Sequence, residues 1–136
     1  MQKFLIELGI GFSFVGSQYH LTVGHDDYYL DLLFYHLKLR AYIIVELKVI
    51  EFKPEHAGKM NFYLSAVDAQ LKHLHDNPSI GLILCKTKDN LDVEYALQGS
   101  NRPIGVSQYQ LVKSLPKEFL QDLPTVEQLT KELKNI

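Results

Sequence analysis

The apolar positions of this 136-residue chain follow several rhythms, each predicting an element. Residues 2 to 8 carry Phe4, Leu5 and Leu8 at helical spacing and stop at Gly9, the pattern of a helix closed by a C-terminal glycine. From 12 to 36 the runs FSFVGSQYHLTV and YYLDLLFYH are joined by GHDD, a turn sequence, which predicts a hairpin. RAYIIVELKVI (40 to 50) follows after only Leu37, Lys38 and Leu39, so it must return antiparallel and complete a three-stranded meander. Pro54 then opens a helix on which Met60, Leu64, Val67, Leu71 and Leu74 form one apolar stripe, with Asn77 and Pro78 ending it.

The next run, SIGLILCK (79 to 86), is apolar throughout and predicts a strand buried on both faces, central or parallel. VEYAL (93 to 97) suits a helical turn or short helix, and PIGVSQYQLV (103 to 112) a last strand. TVEQLTKELKNI (125 to 136) suits a terminal helix with Thr125 as N-cap and Gln128 three residues on. The order α-β-β-β-α-β-α-β-α describes an α/β fold with a mixed central sheet flanked by helices.

No repeat, linker or low-complexity stretch divides the chain, so residues 1–136 are expected to form a single domain. Fourteen Lys and Arg against sixteen Asp and Glu leave a net charge of -2, which excludes a strongly basic nucleic-acid coat. Any nucleic-acid contact must then be local, metal-assisted or shared with another domain. Cys85 is the only cysteine, which excludes an intrachain disulfide and a Cys-based zinc site and makes a cytoplasmic location the expectation. Lys3 and Glu7 within the opening apolar stretch argue against a signal peptide. The uncharged apolar runs, AYIIV at 41 to 45 among them, are far too short to span a membrane.

Charge inside the apolar strands is what points to chemistry. Glu46 and Lys48 share a face of one strand, and Asp31 interrupts the preceding one among Leu30, Leu32 and Leu33. A carboxylate buried there costs several kcal/mol unless it is paired or metal-bound. A turn about Lys38 and Leu39 sets Asp31 opposite Glu46, whereas a three-residue loop over 37 to 39 sends Asp31 to the other face. A shared site therefore requires an even-numbered loop or a bulge. Because Lys38-Leu39 is not a favoured two-residue turn, a bulge is the expected device. In that register two carboxylates lie about 5 Å apart beside an ammonium, an arrangement that calls for a cation. Oxygen ligands with open positions suit Mg²⁺ or Mn²⁺. Lys48 is then placed to orient or deprotonate water, or to stabilise charge developing on phosphorus.

Asp31, fourteen intervening residues and then Glu46-Leu47-Lys48 resemble the PD-(D/E)XK nuclease superfamily. More closely, FLIELG, FVGSQYHL, YYLDLLFYH, VELK, EFKPEHAGKMNFYLSAVD, NPSIGLILCK, VEYAL and NRPIGV resemble the C-terminal nuclease domain of the YhcG family, from Phe4 to Leu111. The resemblance implies a restriction-endonuclease-like core in the order α-β-β-β-α-β and a Mg²⁺- or Mn²⁺-dependent nuclease acting on DNA. It implies Asp31 and Glu46 as metal ligands, Leu47 as a backbone-carbonyl ligand, Lys48 as the catalytic lysine and Glu7 as an additional acid beside the metal. Related nucleases often carry Gln-x-x-x-Tyr on the following helix. Here Tyr63 matches the tyrosine, Lys59 stands where the glutamine would be, and Asn61 is the next candidate. Longer family members place a DNA-binding domain first, so the resemblance implies that such a domain, or another protein, supplies DNA affinity. Superfamily members frequently work as dimers, which implies a homodimer here.

Plainer readings stand beside these. Asp31, Glu46, Lys48 and Arg40 can form structural ion pairs, and Glu7, Lys38, Lys53 and Lys59 can be solvated side chains instead of metal or phosphate contacts. His73, His75 and Asp76 suit a helix terminus and solvent better than zinc, while His20 and His56 stay undecided. Cys85 reads as core. Gly9 and Gly11 do not open a dinucleotide loop, because Phe14 stands where its third glycine belongs. Tyr28, Tyr29 and Tyr35 are packing residues first and base-stacking candidates second. The rival reading is a non-catalytic module that keeps the nuclease fold for binding or assembly.

Overall fold

A computed structural model describes residues 11–108. Three strands, β1 (Phe12–Val23), β2 (Asp26–His36) and β3 (Ala41–Lys48), are followed by helix α1 (Pro54–Gln70), strand β4 (Ile80–Cys85), helix α2 (Asn90–Leu97) and strand β5 (Ile104–Gln108). The expected helices at 2 to 8 and 125 to 136, the end of the last strand and Glu7 lie outside the described residues. The sheet order is β1-β2-β3-β4-β5, antiparallel through β3 and parallel from β3 to β5. Meander and crossovers thus meet at β3, as the strand order predicts.

The continuous apolar run of β4 lies between β3 and β5 with both faces buried. On one face Ile44, Ile83 and Cys85 pack with Ala57, Met60, Tyr63, Leu64 and Val67 of α1. On the other, Leu32, Phe34, Ile43, Val45, Leu47, Leu82 and Leu84 form a second cluster. Asp68 ties the helix to the sheet: it accepts from Ser79 Oγ (2.6 Å) and the Ser79 N–H (3.0 Å), and Arg102 reaches its other oxygen at 3.5 Å.

Two local expectations change. The loop between β2 and β3 has four residues, 37 to 40, not a bulge: Arg40 takes φ +50°, Asn77 Nδ2 donates to Leu39 O (2.7 Å), and the Asn77 N–H donates to Arg40 O (2.7 Å). An even-numbered loop gives the register Leu32↔Val45 through His36↔Ala41, the one that aligns Asp31 with Glu46. The helix from Pro54 also stops at Gln70, and Leu74 is 90% exposed. Asp76 accepts the His73 N–H (3.0 Å) and the Tyr35 hydroxyl (2.6 Å), a local side-chain turn that competes with continued helix. Among the described residues no helix is long and apolar enough to cross a membrane.

Among the described glycines the tightest position is Gly81, where an added Cβ would lie 2.6 Å from Met60 Cγ and 2.7 Å from its Sδ. Gly81→Ala is expected to destabilise the domain by about 1–3 kcal/mol through overpacking. The double variant Gly81→Ala/Met60→Ala should lose less than the two single losses combined, because each change relieves the other. Urea denaturation of the four proteins checks the coupling.

Candidate active site

The site sits where β2 and β3 part. Their pairing runs from His36↔Ala41 to Leu32↔Val45, beyond which β2 stays paired with β1 while Glu46, Leu47 and Lys48 stay paired with β4. Two carboxylates take up the N–H groups at this fork. The Asp31 N–H donates to Glu46 Oε1 (3.2 Å), and the Leu47 N–H donates to Asp31 Oδ2 (2.9 Å). Gln18 Nε2 donates to the other Asp31 oxygen, Oδ1, at 3.2 Å. The acidic pair is thus built into the backbone of the sheet.

Glu46 shares its face with Ile44 and Ile83, under α1, and is 5% exposed. Burial, reinforced by the neighbouring Asp31, pushes its carboxyl up to about 8, against the weaker opposing pull of Lys48. Without a cation Glu46 therefore holds a proton near neutral pH. The charge of Lys48, half-buried on the same face, is felt by Glu46, His56 and the buried Cys85 thiol, so Asp31, Glu46 and Lys48 belong to one neighbourhood. Such a pair fits a divalent cation, which would take the place of the proton. Two carboxylates are a normal protein contribution to a Mg²⁺ site, with waters filling the rest. Among the described residues no third acidic, histidine or cysteine side chain joins them.

Helix α1 lays its first turns against this neighbourhood. Tyr63 is buried, and its hydroxyl is held well above the ordinary phenol range by burial and then by Glu46 and Asp31. Lys59, one turn earlier and exposed, sets its ammonium 5.7 Å from the centre of the Tyr63 ring. Lys53 is the exposed N-cap. Asn61 is not brought to the acidic pair: two residues before Tyr63, it points about 200° away around the helix. It lines a groove of about 500 Å³ with Ala57, Gly58, Leu97, Gln98 and Arg102. Of the tyrosines, Tyr28 packs on Phe62, Tyr35 bonds Asp76, and exposed Tyr29 stacks on His20.

Two neighbours of the site escape a search for charged triads. His56 Nδ1 accepts the Lys53 N–H (3.1 Å), which leaves Nε2 to carry its proton; burial and then the Lys48 charge hold the imidazole below its ordinary range, hence neutral. Its signal was position, since the third residue of a helix is where a side chain reaches back to the cap. Gln18 was equally reachable. Counting back from a two-residue turn at Gly24-His25 places it opposite Asp31.

The raised Glu46 group has a definite sign in stability. An acid whose folded value is near 8 and whose ordinary value is 4.5 binds its proton more tightly in the folded state, so stability falls as pH rises between those values. Glu46→Gln is therefore expected to stabilise the chelator-treated protein at about pH 8, on the order of 3 kcal/mol, and to change little below about pH 4.5. Urea midpoints across that range check it.

The family model described as the YhcG PDDEXK nuclease domain matches residues 1–124. YhcG of Escherichia coli (strain K12), whose name gives it a nuclease role, is 39% identical over 118 residues, 87% of this chain but 31% of that protein. The chain thus spans less than a third of the length of this curated relative. Among solved structures, a repair endonuclease from Pyrococcus abyssi matches with a TM-score of 0.56 at 11% identity, covering 79% of this chain and 44% of its own. An EndoMS–dsDNA2 complex matches with a TM-score of 0.56 at 10% identity, covering 82% of this chain and 44% of that one. Those likenesses show a restriction-endonuclease-like fold, and the match of the family model over residues 1–124 establishes that the chain belongs to the YhcG PDDEXK nuclease domain family.

Proposed function

We propose that this domain hydrolyses DNA phosphodiester bonds with Mg²⁺ or Mn²⁺ held by Asp31 and Glu46. The observation that carries the reading is the acidic pair at the β2–β3 fork, half-buried Asp31 and buried Glu46, beside Lys48. DNA as substrate is supported by the fold shared with two endonucleases, one of them in a dsDNA complex. The bound cation would supply Lewis-acid polarisation of the phosphate and a more acidic water.

The protein's own groups do the rest. Asp31, oriented at both oxygens, and Glu46 bind the ion, with the Leu47 carbonyl and Glu7 as further ligands. Lys48 orients the attacking water or stabilises charge on the phosphate. The burial of Glu46 keeps competing water away and strengthens each charge interaction. Lys53 and Lys59 contact phosphates, Tyr63 closes the floor beneath them, and Asn61 meets nucleic acid only along the groove between α1 and α2. A further domain or a partner protein supplies part of the DNA affinity, which suits the net charge of -2. A homodimer would bring two such sites to a duplex, and a cytoplasmic location completes the reading.

The test is cleavage of labelled single-stranded, duplex and branched DNA with Mg²⁺ or Mn²⁺. Asp31→Ala and Lys48→Ala, with folding checked by circular dichroism, are each expected to lower the rate by roughly a hundredfold or more. Chelator should abolish it. No cleavage of any substrate together with no metal uptake would overturn the reading and leave a nuclease fold used for binding or assembly.

A further inference from the structure

Gln18 is a glutamine in the middle of a strand with φ +45°, a left-handed conformation that side chains other than glycine, asparagine and aspartate adopt unwillingly. It stands between the paired positions Ser17↔Leu32 and Tyr19↔Leu30, hence opposite Asp31. At this pair the side-chain alternation of the hairpin inverts. Leu30 joins the core under α1, Leu32 joins the cluster on the opposite face, and Leu33 returns to the α1 side. Strict alternation would keep Leu30 and Leu32 together. The left-handed residue is therefore where the strand turns over, and it does so beside the acidic pair.

The backbone need alone would be met better by glycine, which takes positive φ without strain. What glutamine adds is an amide, and Nε2 donates to Asp31 Oδ1 at 3.2 Å. With the Leu47 N–H on Oδ2 at 2.9 Å, both oxygens of Asp31 are anchored and the carboxylate cannot rotate without losing a bond. One lone pair on each oxygen is spent, and the others keep a fixed direction.

We propose that Gln18 is a positioning residue whose side-chain amide, together with the Leu47 N–H, fixes the orientation in which Asp31 presents its carboxylate to a divalent cation. This rests on the metal-site reading above. It concerns a residue outside the Asp31, Glu46 and Lys48 set, and it assigns the strained backbone a purpose: carrying the amide to that carboxylate.

Two variants separate backbone from side chain. Gln18→Gly relieves the left-handed strain and removes the amide, whereas Gln18→Met keeps the length and the strain but cannot donate. Mn²⁺ binding by titration calorimetry, thermal melting and NMR amide exchange at Leu47 are measured on the whole chain. Gln18→Gly is expected to melt no lower than wild type. Both variants are expected to bind Mn²⁺ about 10–100-fold more weakly, the usual effect of removing a group that orients a ligand. Exchange at Leu47 should rise about tenfold in both as its acceptor loosens. Wild-type Mn²⁺ affinity in either variant would overturn the proposal, as would unchanged Leu47 protection. If the wild type itself takes up no Mn²⁺, the metal-site reading falls, and the proposal falls with it as a statement about a cation. Leu47 exchange then still decides whether the amide orients Asp31.

Discussion

The reciprocal exchange at the β2–β3 fork organises this domain: the Asp31 N–H to the Glu46 carboxyl, and the Leu47 N–H to the Asp31 carboxylate. Two strands that part inside a sheet leave N–H groups without ladder partners, and each would cost about 1–3 kcal/mol if buried unsatisfied. Here the carboxylates are the partners. The fork can therefore open without orphaned donors, and the open fork is what lets two acidic side chains stand together on a covered face. Its neighbours serve that geometry. Pairing with β1 holds the lower half of β2 after it leaves β3, and β4 holds Glu46 to Lys48 in line.

The arrangement works against folding as well as for it. An apolar pair at positions 31 and 46 would pack the same space without desolvating charge, and the raised Glu46 group reflects that conflict. Proteins tolerate such conflicts at sites that use them. Its cover comes from the first turns of α1, where the cap at Lys53, neutral His56 and the Lys59–Tyr63 pair follow at successive turns. Beyond the end of β3 the chain stays attached to the residues just after β4 through the bonds Lys86 N–H to Ile50 O (3.0 Å) and Phe52 N–H to Thr87 O (2.8 Å). Helix α1 consequently begins close to Lys48, and the site is roofed by local connectivity rather than by a distant loop.

Much of this was legible in the amino-acid order. The alternation around Asp31, the E-x-K spacing and the apolar run of β4 are consequences of period-two geometry and burial, so element order and the candidate acidic residues could be read directly. Register could not, because it turns on whether Arg40 belongs to the loop or the strand. That depends on Arg40 taking positive φ under two bonds from Asn77, far along the chain. The end of α1 was hidden for a similar reason. Leu71 and Leu74 continue the stripe, yet the bond between Tyr35 and Asp76 favours a turn there, and no local propensity reports a contact across 41 positions. Asp89, by contrast, caps α2 through the Leu91 N–H (2.8 Å), a signal visible in the sequence ahead of VEYAL.

The proton held on buried Glu46, beside Asp31, also shapes how the proposed chemistry would begin. A divalent cation bound at the fork would displace that proton, so its affinity would be tied to pH and its binding would release acid. Phosphate oxygens and waters would complete the coordination beyond the two carboxylates, the Leu47 carbonyl and Glu7. Cation and phosphodiester would then favour one another, each lowering the cost of the other's arrival. Such coupling makes a weakly charged domain workable as a nuclease: attraction for DNA need not come from a basic surface when the substrate brings ligands to the ion. The net charge of -2, which at first argues against a nucleic-acid substrate, is in this light compatible with one.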